Sequence, residues 1–162
     1  MPDPSGAGDT SGDVRQFIEQ LAMVLVSMGF PPMPARAWAA MMSSDADTTT
    51  PGELSERLGV SPAAVSGAVN YLLQVGLIER VAVPGSRRRH YRVSVELWAN
   101  AFERRQRALG RFSALAGEGI AMLGADSPSG RRIAEVRDFF DYVSERMPRL
   151  LAQWREERRA EA

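Results

Sequence analysis

Apolar residues recur at helical spacing along most of the chain. The first such stretch predicts a helix over about residues 12–28, which Gly29 and two nearby prolines should end. Its apolar residues are Val14, Phe17, Ile18, Leu21, Val24, Leu25 and Met28. A second helix is predicted over residues 34–44, and the polar segment SSDADTTT after it is expected to be a loop.

Two shorter helices then begin with the same signal, a hydroxyl residue followed by proline. Thr50 is a favourable N-cap, Glu53 is placed to complete a capping box, and this helix should end at Gly59. Ser61 caps the next helix, which Gly76 should end. The apolar face of this fourth helix consists of Val65, Ala68, Val69, Leu72 and Leu73.

After Gly76 the periodicity changes from helical to alternating. The segments LIERVAV and RHYRVSV predict two strands, and PGSR between them predicts a turn. Alternation places one set of side chains of the second strand on each face. The sets are Tyr91, Val93 and Val95 on one face, and His90, Arg92 and Ser94 on the other.

Helical spacing returns at about residue 96 and continues to the end of the chain. One helix is predicted over residues 96–123, GADSPSG interrupts it, and Pro148 should kink the last helix. Apolar residues of that helix repeat in steps of three and four, as in a coiled coil. They are Ile133, Val136, Phe140, Val143, Met147, Leu150 and Trp154. This seam could be covered within one chain, but a second copy is the simplest cover for apolar faces that a small domain leaves open.

The composition excludes several kinds of site and reaction. The chain has 162 residues, no cysteine and one histidine, His90. Thiol chemistry and disulfides are therefore excluded, and a zinc site is not expected. There is no phosphate loop or nucleophile elbow, so neither an enzyme nor a cofactor or metal is predicted. Residues 1–12 are expected to be a disordered leader, and the lack of signal-peptide and membrane-span features predicts a cytoplasmic protein.

Charge is distributed unevenly, although the formal net charge is zero. Residues 1–60 carry eight acids and three arginines, residues 61–95 one acid and five arginines, and residues 96–162 eleven acids and twelve arginines. The basic middle contains PGSRRRHYRV, where three arginines adjoin. Such a turn could simply be solvated, but its place after two short helices favours contact with a negatively charged partner.

Two short helices with a tight, glycine-containing link, followed by a hairpin, are the element order of a winged helix-turn-helix. Ser55 is small where the two helices should cross, Gly59 lies in the turn, and Val65 should point back into the core. The segment LSERLGVSPAAVSGAVNYLLQVGLIER, followed by GSRRRHYRV, resembles the MarR superfamily of bacterial regulators, and more closely its GbsR-type branch. The resemblance covers about residues 34–95. It implies a homodimeric transcriptional regulator, often a repressor, that is sometimes released by a small molecule.

The predicted fold class is mainly α with a small β-hairpin wing: a winged helix-turn-helix flanked by N- and C-terminal dimerisation helices. The predicted organisation is a leader over residues 1–12, an N-terminal dimerisation helix over 13–33, a DNA-binding domain over 34–95 and a C-terminal helical dimerisation region over 96–162. The expected partner is double-stranded DNA with a pseudo-palindromic operator.

The predicted DNA-binding residues lie on the fourth helix and in the wing. They are Ser61, Ala63, Ala64, Ser66, Gly67, Asn70, Arg87, Arg88, Arg89, His90 and Arg92. The helix, residues 61–75, should enter the major groove and the wing, residues 84–90, should meet the minor groove or the backbone. Two features depart from the family pattern. Arg87 stands where many members place an aspartate that braces the wing arginine, and the fourth helix has no basic residue, so the wing must supply much of the charge.

Aromatic and methionine residues around the winged domain could line a pocket for a small apolar or aromatic effector, or could simply be core. The candidates are Trp38, Met42, Tyr71, Trp98 and Phe102. The alternative function is a winged-helix protein-interaction module, with which an uncharged fourth helix is compatible. Ser61 or Ser66 could form a dyad with His90, but both serines are better explained on the recognition helix.

Overall fold

The computed structural model describes residues 10–161, with every side chain in that range except those of residues 10, 11, 95, 102 and 104–108. These residues form six helices and one two-stranded antiparallel sheet, which confirms the predicted fold class. The elements are α1 (Thr10–Ser27), α2 (Pro32–Met42), α3 (Pro51–Leu58), α4 (Pro62–Val75), β1 (Glu79–Val81), β2 (His90–Arg92), α5 (Val95–Leu123) and α6 (Pro128–Ala160). They divide into two compact units, the first ending at Trp98 and the second beginning at Ala99.

Two helices begin two residues before their predicted starts. Helix α1 begins at Thr10, so residues 10–12 are helical rather than part of the leader, and the rest of the predicted leader lies outside the described residues. Helix α2 begins at Pro32 and carries Pro34 in its first turn. The first turn of a helix tolerates proline because its N–H groups have no helical acceptor, so both prolines fit there.

In the first unit, α1 packs on α2, and α2 packs on α3 and α4. Ile18, Ala22 and Leu25 of α1 are buried. Arg36 of α2 donates hydrogen bonds to the Glu19 carboxylate with N–O distances of 2.6 to 3.0 Å. A second face of α1 stays exposed although it is apolar. Its large side chains are Phe17, Met23, Val24 and Val26, and Met28 directly after the helix is exposed as well. Helix α1 is therefore apolar on more than one side.

The strands are shorter than predicted. They pair over three positions, Glu79 with Arg92, Arg80 with Tyr91 and Val81 with His90. The second strand was predicted to reach Val95, but that residue begins α5. The Ser94 hydroxyl accepts a hydrogen bond from the Leu97 N–H at 3.2 Å, which is the contact of an N-cap, so the chain turns into a helix there.

In the second unit, α5 and α6 lie antiparallel. Phe112 packs edge-on against Phe140 with ring centroids 5.0 Å apart, and Arg155 donates to the Glu103 carboxylate at 2.5 Å. At the turn between the helices, a Cβ on Gly130 would stand 2.1 Å from the Gly124 carbonyl oxygen, so only glycine fits there. Helix α6 extends past Pro148 to Ala160.

The coiled-coil seam of α6 is only partly covered within its own unit. Ile133, Phe140 and Val143 are half-buried, whereas 46% of Val136 and 58% of Leu150 are exposed. Other large apolar side chains on α5 and α6 are exposed too. They are Phe112, Leu115, Met122, Leu123, Phe139 and Tyr142.

Candidate nucleic-acid interface

Helices α3 and α4 are held in a helix-turn-helix by contacts that the sequence predicts. Thr50 caps α3 in a complete capping box with Glu53, and Gly59 ends it in the left-handed conformation (φ 63°, ψ 37°). The Ser55 hydroxyl donates to the Val60 carbonyl at 2.5 Å, so this small residue also ties the turn to α3. Val65 is fully buried and serves as the predicted apolar lock.

Helix α4 has a buried face and an open face of small polar and apolar residues. Val65, Ala68, Val69 and Leu72 are buried, which fixes the helix on the core. On the open face most of the predicted DNA-contacting residues are exposed and Ala64 is half-buried. The exposed ones are Ser61, Ala63, Ser66, Gly67 and Asn70. No basic side chain stands on α4, so a flat partner surface could approach it closely.

The wing, defined as β1, β2 and the connecting residues 82–89, carries the positive charge. Arg87, Arg88 and Arg89, called here the arginine tip, are all exposed. Among the described residues none of the three forms an ion pair. Their charge is therefore available to a negatively charged partner.

Arg80 and Arg92, the other two arginines of the hairpin, do not share its outer face. Arg92 faces Glu79 across the strands, and its Nε donates to the Glu79 Oε1 at 3.0 Å. Arg80 faces Tyr91 instead, with its guanidinium 6.0 Å from the ring centroid. Directly paired residues lie on the same side of a sheet, so the two arginines point to opposite sides. The ion pair partly neutralises Arg92, a predicted DNA contact.

His90 makes two hydrogen bonds within the chain, one through each ring nitrogen. Its Nδ1 lies 3.2 Å from the Thr48 hydroxyl, and its Nε2 lies 2.8 Å from the Ser86 hydroxyl. Ser86 also accepts from the backbone N–H of Arg88 at 3.2 Å. The ring is half-buried. Both of its polar atoms are thus occupied within the chain, one by Ser86 of the wing and one by Thr48 before α3, which differs from the predicted role as an outward DNA contact.

The segment before α3, predicted as a loop, pairs with the wing at one position. Thr49 and Tyr91 form an isolated antiparallel bridge in which each N–H donates to the other carbonyl at 2.9 Å. Thr49 is 7% exposed and Tyr91 is 3% exposed. Sequence reasoning missed this anchor, although the β-branched run of three threonines was the signal that could have indicated it.

Glu53 links the start of α3 electrostatically to the wing. The pKa of its carboxyl lies below the usual value, chiefly because the Thr50 backbone N–H donates to it at 2.7 Å. Burial is the second-largest effect and raises the pKa, while the Thr50 side chain and then the electrostatic interactions with His90 and Arg88 lower the pKa further. The wing therefore lies close enough to α3 for their charges to interact.

The predicted effector residues do not all gather at one place. Trp38 and Trp98 lie 5.3 Å apart between ring centroids, and Phe30 stacks on Trp98 at 5.9 Å. The Trp38 Nε1 is buried without an acceptor among the described residues. Met42 instead lines a separate cleft of about 210 Å³ with residues that include Asp45 and Tyr91. Tyr71 is half-buried. The side chain of Phe102, the remaining predicted effector residue, lies outside those described.

Two features are absent from the described residues. No three of their histidine, aspartate and glutamate side chains are grouped closely enough to hold a metal ion. None of the helices in this part of the chain is both long and apolar enough to cross a membrane.

Comparison with known proteins finds matches over both units. A family model described as MmpR5-like MarR family transcriptional regulator matches residues 96–157, and a MarR family model matches residues 28–89. The HTH-type transcriptional regulator MmpR5 of Mycobacterium tuberculosis (strain ATCC 25618 / H37Rv) is 30% identical over 132 residues, which cover 81% of this chain and 80% of that protein. A crystal structure of a transcriptional regulator is 28% identical with a TM-score of 0.74, covering 89% of this chain and 99% of that one.

Proposed function

Because the chain belongs to the MarR family of transcriptional regulators, we propose that it binds double-stranded DNA with α4 in the major groove and the wing at the minor groove or the backbone. The observation that carries this proposal is the exposed, uncharged face of α4 together with an exposed arginine tip that has no ion pair among the described residues. A surface of this kind suits DNA, which offers base edges in the groove and charge along the backbone.

The two elements would divide the work of binding. Ala63 and Ala64 suit contact with a thymine methyl, Ser66 is adaptable, and Asn70 suits the paired donor and acceptor of an adenine edge. These contacts select sequence but attract DNA weakly. The arginine tip attracts any duplex, because each arginine that neutralises a phosphate releases counterions. In this proposal His90 and Arg92 stabilise the wing rather than contact DNA.

The proposed assembly is a homodimer. The apolar side chains left exposed on α1, α5 and α6 need a cover, and a second copy is the cover available to the protein by itself. Two α4 helices about 34–36 Å apart would then read a pseudo-palindromic operator. Repression follows if the operator overlaps a promoter. Since its target is DNA, we expect the protein to act in the cytoplasm and to have no enzymatic activity.

A small apolar or aromatic effector is proposed to act at the rings of Phe30, Trp38 and Trp98. The buried Trp38 Nε1 offers a donor that lacks an acceptor, and the neighbouring rings offer faces for stacking. A small aromatic acid would satisfy both. Quenching of tryptophan fluorescence by such acids, abolished in Trp38→Phe, would support this site; release of DNA with unchanged fluorescence would count against it.

The finer branch within the family is also a proposal. The winged segment over residues 34–95 resembles the GbsR-type branch, whereas the family model that matches residues 96–157 is MmpR5-like. We keep the GbsR-type assignment as an expectation for the winged segment alone.

Selection of bound duplexes from a random pool, followed by titration of the winner with salt, tests DNA binding, symmetry and spacing together. We expect two related half-sites whose centres lie about one helical turn apart, and an affinity that falls steeply as salt rises. If no duplex is selected and genomic fragments show no gel shift at low salt, the alternative function as a protein-interaction module would be favoured.

A further inference from the structure

The residues 82–89 that connect β1 to β2 make a long connection for a hairpin with only three paired positions. Such a loop is normally mobile unless side chains tie it down. Here the Ser86 N–H donates to the Val83 carbonyl at 3.1 Å, and the Ser86 hydroxyl accepts from the Arg88 N–H. Ser86 therefore organises the backbone that carries the arginine tip.

His90 connects this serine to a different part of the molecule. One ring nitrogen lies 2.8 Å from the Ser86 hydroxyl, and the other lies 3.2 Å from the hydroxyl of Thr48, a residue 42 positions away in sequence. A hydroxyl can donate or accept, so the bridge closes whichever ring nitrogen carries the proton. No other common side chain presents two polar atoms on one rigid ring.

The far end of the bridge is itself well fixed. Thr48, Thr49 and Thr50 are consecutive and make three different contacts. Thr48 bonds His90, Thr49 pairs with the Tyr91 backbone, and Thr50 caps α3. Thr49 and Thr50 are buried. The start of α3 thus gives the wing a rigid support.

We propose that His90 is a positioning residue, which holds the arginine tip through Ser86 at a set distance from the start of α3, and that this bridge takes the place of direct DNA contact by His90. The proposal rests on the proposed function for its consequence in DNA binding, but the bridge itself exists or fails in the free protein. It also accounts for how the wing is braced when Arg87 occupies the place of the usual acid.

Histidine NMR on the free, full-length protein tests the bridge. Because His90 is the single histidine, ¹⁵N-histidine labelling gives one set of ring signals without assignment. We expect the Nδ1 signal to move in Thr48→Val and the Nε2 signal to move in Ser86→Ala. The matched control is Ser44→Ala, which removes a hydroxyl of the same segment that bonds the Ala46 N–H at 3.3 Å. Ring signals unchanged in both bridge variants would overturn the proposal.

A double-mutant cycle on DNA affinity tests the consequence. Thr48→Val and Ser86→Ala each remove one hydrogen bond of the bridge and should each weaken binding roughly threefold to tenfold, whereas His90→Phe removes both bonds and should weaken binding more. Thr48→Val added to His90→Phe should cost nothing more, because the bridge is already broken. If Thr48→Val leaves the affinity unchanged while His90→Phe weakens it, His90 acts on DNA without the bridge and the proposal is wrong.

Partial rescue separates positioning from general loss of structure. In His90→Asn the amide stands near the place of Nδ1 and can keep the Thr48 bond, whereas in His90→Gln it reaches the place of Nε2 and can keep the Ser86 bond. Each should retain more affinity than His90→Phe, with thermal unfolding of all three variants nearly alike. Equal affinity of the three variants would overturn positioning. Absence of DNA binding in the wild type, with the NMR result intact, would overturn the proposed function while leaving the bridge in place.

Discussion

Helix α4 and the wing face the same proposed partner but are built on opposite principles. Helix α4 is uncharged on its open side and is held by fully buried apolar side chains such as Val65 and Leu72. The wing carries the arginine tip and is held by three strand pairs, one isolated bridge and the Thr48–His90–Ser86 contacts. One element depends on the core for its position, and the other depends on polar bonds near the surface.

Because of this difference, folding stability, sequence preference and overall DNA affinity should depend on different residues. Substitutions beneath α4 should change folding, substitutions on its open face should change which sequence is preferred, and substitutions in the wing should change how strongly any duplex is held. Apolar burial contributes more per residue than a surface hydrogen bond, so the expected effects fall in that order.

The largest effect is expected beneath α4. Leu72→Ala removes a fully buried side chain and leaves a cavity, so the free energy of unfolding should drop by about 2–5 kcal/mol. Denaturant unfolding measures it, and the exposed Gln74→Ala on the same helix is the control. A loss below about 0.5 kcal/mol, which is the size of a surface substitution, would mean that α4 is not positioned by the core.

A smaller effect is expected on the open face of α4. Asn70→Ala should leave folding intact and remove about 1–3 kcal/mol of discrimination at one base position of each half-site. Competition between operator variants that differ at single positions measures this preference. If the preference is unchanged at every position, Asn70 does not read a base and the assignment of specificity to α4 loses its main support.

In the wing, Arg88→Ala should weaken binding to every sequence alike. The slope of log affinity against log salt should become shallower by about one for each copy of the chain that binds. Arg92→Ala is the matched control, because that arginine of the same hairpin is already paired with Glu79. An unchanged slope in Arg88→Ala, or an equal change in both variants, would contradict the role given to the arginine tip.

The smallest effect is expected at Glu53, where the start of α3 interacts with the wing. Its pKa is lowered in the folded protein, so its ionised form stabilises the fold above the unfolded pKa and that contribution disappears as pH falls through the folded pKa. Because Glu53 is exposed, solvent screens much of this effect, so the free energy of unfolding of the wild type should exceed that of Glu53→Gln by only about 0.3–1 kcal/mol at neutral pH, and the two values should converge in acid. Unfolding at pH 7 and pH 3 tests this. If the difference in free energy of unfolding between the two proteins were larger at pH 3 than at pH 7, ionised Glu53 would not be the stabilising form.

Much of the fold was predictable because its signals are local. The caps at Thr50 and Ser61 and the stops at Gly59 and Gly76 depend on residues within one turn of each other, and all four are confirmed. The apolar periods of α4 and of the two long helices also act over a few residues. Hence the elements and their order could be predicted, with ends misplaced by about two residues.

The site was less predictable because its decisive contacts are distant in sequence. The pairing of Thr49 with Tyr91 and the bridge from Thr48 to His90 each join residues about 42 apart. The open face of α4 and the exposed tip could be recognised from spacing. The inward orientation of His90, the neutralised Arg92 and the opposite orientation of Arg80 could not, since they depend on strand register and on what lies across from each residue.

By itself, then, the amino-acid sequence determined the helical periods, the caps, the turns and the basic middle segment, because each of these follows from neighbours along the chain. Only the tertiary structure decided which arginines keep their charge free and which side chain braces the wing. Those outcomes depend on hydrogen bonds and ion pairs across the hairpin and between the wing and α3, whose partners no local pattern specifies.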